Sequence, residues 1–139
     1  MIEYFRANKD DFKHCYDVRV NVFVNEQGWG IDEEMDDLDA SSIHYLAKDD
    51  DKYIATLRVY INGKDGHVGR VCVLKDYRNQ HIGFNLMKFM EDDLKSSLET
   101  LSLGAQLHAA KFYEKLGFKQ YGNHYIEGKI EHVNMIKKL

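Results

Sequence analysis

At 139 residues with 44% apolar side chains, the chain is sized for one domain that buries its own core without metals or disulfides. A net charge of −4 with no dominant basic face argues against nucleic acid as a partner, and only two cysteines, Cys15 and Cys72, argue against a disulfide scaffold. The opening residues lack the apolar core of a signal peptide and no apolar run approaches the ~20 residues of a membrane span, so the expectation is a cytoplasmic protein with no membrane partner.

Taken in order, "IEYFRA" at residues 2–7 alternates as a first strand. Asp10 or Asp11 then offers an N-cap, and Phe12, Cys15, Tyr16, Arg19, Val22 and Phe23 recur at helical spacing, predicting a helix to about Val24. From Glu26 to Asp39 the composition turns acidic, with no Lys or Arg, and Gly28 and Gly30 predict a loop holding one short helical turn. "IHYLAKD" and "KYIATLRVYI" read as two strands joined at Asp49-Asp50-Asp51, and the turn "NGKDG" leads into a third strand, "HVGRVCVL".

After a polar turn, Ile82, Leu86, Phe89, Met90 and Leu94 mark one face of a helix ending near Ser97. "ETLSL" is a short strand and "AQLHAAKFYEKL" a helix closed by Gly117, a suitable C′ residue. "FKQYG", "HYIEGK" and "EHVNMIKK" complete an antiparallel hairpin. The expected class is α/β (α+β): one domain over residues 1–139, with a mixed, mostly antiparallel sheet of six or seven strands flanked by about four helices.

The polar turn "YRNQHIGFNLM" carries the functional question. The first amides of a helix lack intrahelical acceptors and carry a partial positive charge, so an anionic group docks there readily. Gly83 opens the backbone to such a ligand, and between His67 and Met90 the charges are Arg70, Lys75, Arg78 and Lys88 against Asp76 alone. An ordinary strand–loop–helix connection is the competing reading of the same residues.

Two stretches favour the ligand. "VCVLKDYRNQHIGFNLM" resembles the pyrophosphate loop of the GCN5-related N-acetyltransferase (GNAT) family, Arg/Gln-x-x-Gly-x-Gly/Ala after a strand, and "AQLHAAKFYEKLGF" resembles that family's next segment. The order β-α-β-β-β-α-β-α-β-β extends the resemblance to nearly the whole chain. "RVNVFVNEQGW", the acidic loop, "IHYLA" and "HYIEGKIEHVNM" resemble the small ElaA/YjcF-like branch. One departure stands in the loop, where His81 replaces the first glycine; His tolerates positive φ better than most residues, so the turn is expected to survive.

The resemblance implies acetyl-CoA as cofactor, its pantetheine arm along Val71, Cys72 and Val73, and its pyrophosphate on the amides of Arg78, Asn79, Gln80, His81, Ile82, Gly83 and Phe84, with Gln106 and Phe112 nearby. It implies a backbone N–H near Val71–Val73 as donor to the acyl oxygen, and Tyr113 as the general acid that protonates the departing sulfur. The competing reading packs Tyr113 in the core beside Phe112.

For the general base, Glu26 is the first choice and His44 the second, with Glu127 and His132 on the final hairpin also in view. The acidic loop 26–39 beside an acceptor cleft would draw in a cationic amine, which points to a small-molecule or peptide amine as acceptor. No His-Glu-x-x-His or Cys-x-x-Cys spacing suggests a metal, and Cys72 reads as a buried small hydrophobe. Dimers are common in the proteins resembled, which makes a homodimer one expected state. The alternatives are an acyl-CoA-binding sensor without catalysis and an acyl-homoserine-lactone-synthase-like acyltransferase.

Overall fold

The computed structural model describes the backbone of residues 1–139 and every side chain except those of Asp32 and Glu33. Seven strands form one sheet in the order β1-β2-β3-β4-β5-β7-β6: β1 Ile2–Arg6, β2 Ser42–Asp49, β3 Lys52–Asn62, β4 Asp65–Val73, β5 Thr100–Gln106, β6 Lys119–Glu127 and β7 Ile130–Lys138. All neighbours are antiparallel except β4 and β5. Four α-helices accompany them: α1 Phe12–Arg19, α2 Ile31–Glu34, α3 Ile82–Leu94 and α4 Ala110–Lys115.

Strand alternation sorts the two faces. On β3, Leu57 and Val59 join the main core, which Leu86, Met87, Met90 and Leu94 of α3 complete. Thr56 and Arg58 face the other way, toward α1, where Val18 and Val22 close a smaller cluster on Cys72. The helical spacing read at Ile82–Leu94 is therefore the core-facing stripe of α3.

The boundaries differ from the sequence reading in three places. The first helix is capped by neither expected aspartate: Asn8 accepts from the amides of Asp10 and Asp11 while Asp11 returns a bond to the Asn8 amide. That helix also changes pitch, running as a π-helix from Val20 to Glu26, with the Gln27 amide reaching Val22 five residues back. The helix expected over 105–116 loses its first half, because Ala105 and Gln106 extend β5 by pairing with Val133 and His132. Sheet pairing overrides the helical preference of "AQL", and only a 3-10 turn at Leu107–Ala109 precedes α4. Gly117 closes α4 as expected, with φ of +97° and the Phe118 amide on the Tyr113 carbonyl.

The junction of β4 and β5 positions the site. They pair in parallel only over Asp65–Val68 and Thr100–Leu103. Beyond that a bulge at Arg70, with φ of +55°, turns β4 back onto β3 while β5 follows β7. The strands part, and the edge of β4 from Gly69 to Val73 is left without a strand partner on the β5 side. Among the described residues no helix is long and apolar enough to cross a membrane.

Candidate active site

Two grooves open from the parting strands. The first, of about 890 Å³, runs between β4 and the start of α3, walled by Val71, Val73, Arg78, Gly83, Phe84 and Phe112. The second, of about 600 Å³, lies on the α1 side of the sheet and includes Tyr60, His67, Gly104, Tyr125, Glu127 and His132. Gln27, Val71, His108, Ala109 and Tyr113 line both, so the grooves meet at those residues.

The loop before α3 leaves a row of amides open. Asn79 and His81 both take the left-handed conformation, φ +64° and +63°, so the histidine standing where glycine was expected adopts the glycine geometry. The amides from Asn79 to Phe84 find no acceptor among the described residues, and the first helical bond is Asn85 to His81. A Cβ on Gly83 would lie 3.4 Å from Val73 and 3.5 Å from Phe112, filling the floor of the groove. A row of open amides at a helix start, above a floor kept clear by glycine, fits the diphosphate of a nucleotide cofactor.

Not every residue expected on this cofactor does what was read from it. Gln80 turns its side chain away to the Asp76 carbonyl at 3.2 Å and can contribute only its amide. Gln106 lines the second groove and not the first; its amide donates to Gln27 at 3.3 Å, and it accepts from His108 at 2.7 Å. The Val73 carbonyl accepts from Arg78 Nε at 3.0 Å, which leaves Val71 as the more open backbone position. The Cys72 side chain packs with Val18 and Val22, and burial drives its thiol far above the usual range, which removes it as a nucleophile.

The two first choices for the base lie away from both grooves. Glu26 lines neither groove; it forms a bidentate pair with Arg78, both contacts 2.6 Å, and the guanidinium holds its carboxyl below the usual range. His44 is buried beneath the acidic loop, donating from Nε2 to the Asp39 carbonyl at 2.9 Å, and burial lowers its pKa. Its Nδ1 is buried without a partner. Neither group reaches the junction.

Three carboxylates of the acidic loop are paired with arginines. Arg19 binds Glu34 at 2.5 Å and Asp39 at 2.8 Å; Arg58 binds Asp36 at 2.6 Å and Asp39 at 2.9 Å; Arg70 reaches Glu34 at 3.1 Å. Arg19 and Glu34 are almost completely buried, 1% and 4% exposed. Glu34, Asp36 and Asp39 are thus held by three arginines, Arg19 on α1 and Arg58 and Arg70 on the sheet.

Tyr113 stands where the grooves meet. Its ring packs edge-on to Phe112 and Phe118, and its hydroxyl makes no hydrogen bond to the described residues. Burial pushes the phenol up, so it stays protonated across the working range. On β7, facing Gln106, His132 donates from Nδ1 to the Ile130 carbonyl at 2.8 Å and stacks on Tyr125. Its Nε2 is thereby left as an acceptor, 3.7 Å from Glu127.

Sequence reasoning missed Gln27, Tyr77, His108, Ala109 and Lys115 as groove residues. Gln27 had a signal in "NEQGW"; the others are set by how the 3-10 turn and the loop before α3 fold.

The acetyltransferase (GNAT) domain family matches residues 13–139. The uncharacterized N-acetyltransferase YjcF of Bacillus subtilis is 31% identical over 132 residues, covering 94% of each chain. Protein ElaA of Escherichia coli is 30% identical over 135 residues, covering 88% of this chain and 84% of its own. The crystal structure of ElaA superposes with a TM-score of 0.88 at 25% identity, covering 99% of both chains. A GNAT family acetyltransferase of Elizabethkingia anophelis, solved with acetyl-CoA bound, shares the fold with a TM-score of 0.75 at 18% identity over 99% of this chain and 98% of its own.

Proposed function

Because the chain belongs to the GNAT acetyltransferase family, and is thus an acyltransferase that uses acetyl-CoA, we propose that it acetylates a primary amine by direct attack within a ternary complex. The observation that carries this reading is the meeting of a cofactor-shaped groove and a second groove at Tyr113, whose hydroxyl is unclaimed among the described residues.

In this reading the amides of Asn79–Phe84 hold the diphosphate, with Gly83 clearing its approach. The open edge of β4 at Val71 takes the pantetheine arm as an added strand, and a backbone N–H there polarises the acyl carbonyl. Acetyl-CoA supplies the activated thioester acetyl group. His132 Nε2, left as an acceptor, takes the proton that the amine must lose. Tyr113 keeps its proton until sulfur departs, and then donates it.

A thiol-release screen of amines with acetyl-CoA tests this. Tyr113→Phe, which keeps the ring and its edge-on contacts, is expected to lower kcat roughly tenfold or more. An unchanged rate would return Tyr113 to a packing role.

Glu26→Gln separates an arginine partner from a base. As a partner, Glu26 sets a carboxylate against the anion that Arg78 faces. Removing that charge is expected to tighten coenzyme A binding a few-fold by calorimetry, with kcat little changed and stability altered by less than about 1 kcal/mol, because the pair is about one-third exposed. A large fall in kcat would restore Glu26 as the base.

A further inference from the structure

We propose that His67, with Ser102 and Asp65 behind it, forms a distal subsite in the second groove that takes a second ammonium group of the acceptor, so that the preferred substrates are amines with two cationic ends. This rests on the amine reading above and specifies its substrate class.

The subsite lies in the short parallel stretch of β4 and β5. There Asp65 sits opposite Thr100 and His67 opposite Ser102, and the period of two puts all four on one face. The Asp65 carboxylate accepts from both hydroxyls, Thr100 and Ser102, each at 2.7 Å. The Ser102 proton is spent on Asp65, so its oxygen can only accept from His67, whose Nδ1 lies 3.0 Å away. That requirement places the imidazole proton on Nδ1 and leaves the Nε2 lone pair for the groove that His67 lines. A chain that starts at a carboxylate and ends in an unspent acceptor carries net negative charge, and it favours a cationic N–H donor. No function in the transfer step uses these residues.

Nearby cations do not cancel the site. Arg58 and Arg70 border the same groove, but their guanidinium groups are matched by Asp36, Asp39 and Glu34. Between the subsite and the junction the floor carries two glycines, Gly69 on β4 with Arg58 Nε nearest it and Gly104 on β5 directly beneath the Tyr125 hydroxyl. His67 precedes Val71 by four residues, which at strand spacing is about 13 Å, somewhat less across the bulge.

The test uses the intact enzyme, acetyl-CoA and a series of α,ω-diaminoalkanes, each compared with the monoamine of equal chain length. The expected result is a diamine advantage in kcat/KM of about tenfold, peaking where the two nitrogens lie about 10–13 Å apart. His67→Ala and Ser102→Ala are expected to bring that diamine-to-monoamine ratio close to one. Ser102→Ala removes a single oxygen, so it reads the relay even if the histidine variant folds poorly. Equal use of diamines and monoamines by the wild type, or a ratio that survives both substitutions, overturns the subsite. Thiol release from no amine at all overturns the amine reading and the subsite with it.

Discussion

Arg19→Met is expected to destabilise the fold by about 3–5 kcal/mol in urea unfolding, because it leaves Glu34 and Asp39 as buried carboxylates without their main partner. Arg19 is 1% exposed, and its guanidinium donates to the carboxylate and the backbone carbonyl of Glu34 as well as to Asp39. Removing one partner of a buried pair costs far more than replacing the whole group, so Arg19→Met combined with Glu34→Leu is expected to recover part of the loss. A single variant within about 1 kcal/mol of wild type would show the network to be dispensable.

The same network sets a pH dependence. For Asp39 burial opposes ionisation, but Arg19 and Arg58 together outweigh it and hold its pKa below the usual range; for Asp36, Arg58 does so first. Carboxylates lowered in the folded state add stability that is fully present above the unfolded value of ~4 and is lost as pH falls through the folded value. The lowered Asp36 and Asp39 are therefore expected to steepen acid unfolding below about pH 4, partly offset by Glu34, which burial raises, and their slope should flatten in Arg19→Met.

If His132 is the proposed base, His132→Gln is expected to lower kcat by about 10²–10⁴ with little change in coenzyme A affinity, since the histidine lines the second groove and not the first. Glutamine keeps a donor near the Ile130 carbonyl but cannot take a proton. Stopped-flow single turnovers would separate the chemical step from binding. A kcat within a few-fold of wild type would exclude His132 as the base and turn attention to His108, which also stands at the junction.

Much of this was legible in the chain because it is written in local periodicity. The alternation of 43–49 and 52–61, the stripe of Ile82 to Leu94 and the stop at Gly117 depend on residues a few positions apart, so the strands, α3 and the end of α4 followed from them. The geometry of the loop before α3 was readable for the same reason: polar turn, glycine and helix start are contiguous, and His81 accepted the left-handed φ expected of it.

The base and the role of the acidic loop were not. Glu26 and Arg78 are 52 residues apart, and Arg19, Glu34, Asp39 and Arg58 come from four separate elements. A charge read from sequence has no partner until the chain closes, and here closure set Glu34, Asp36 and Asp39 against arginines. It likewise brought His132 to Gln106 and left His44 under the loop.

By itself, the order of residues determined the sheet-and-helix class, the phosphate-type loop and the position of Tyr113, since each is encoded in a short window. Only the tertiary structure decided which ionisable groups are spent and which face open space. Pairing of charges and parting of strands are long-range events, and their geometry exists only after distant segments meet.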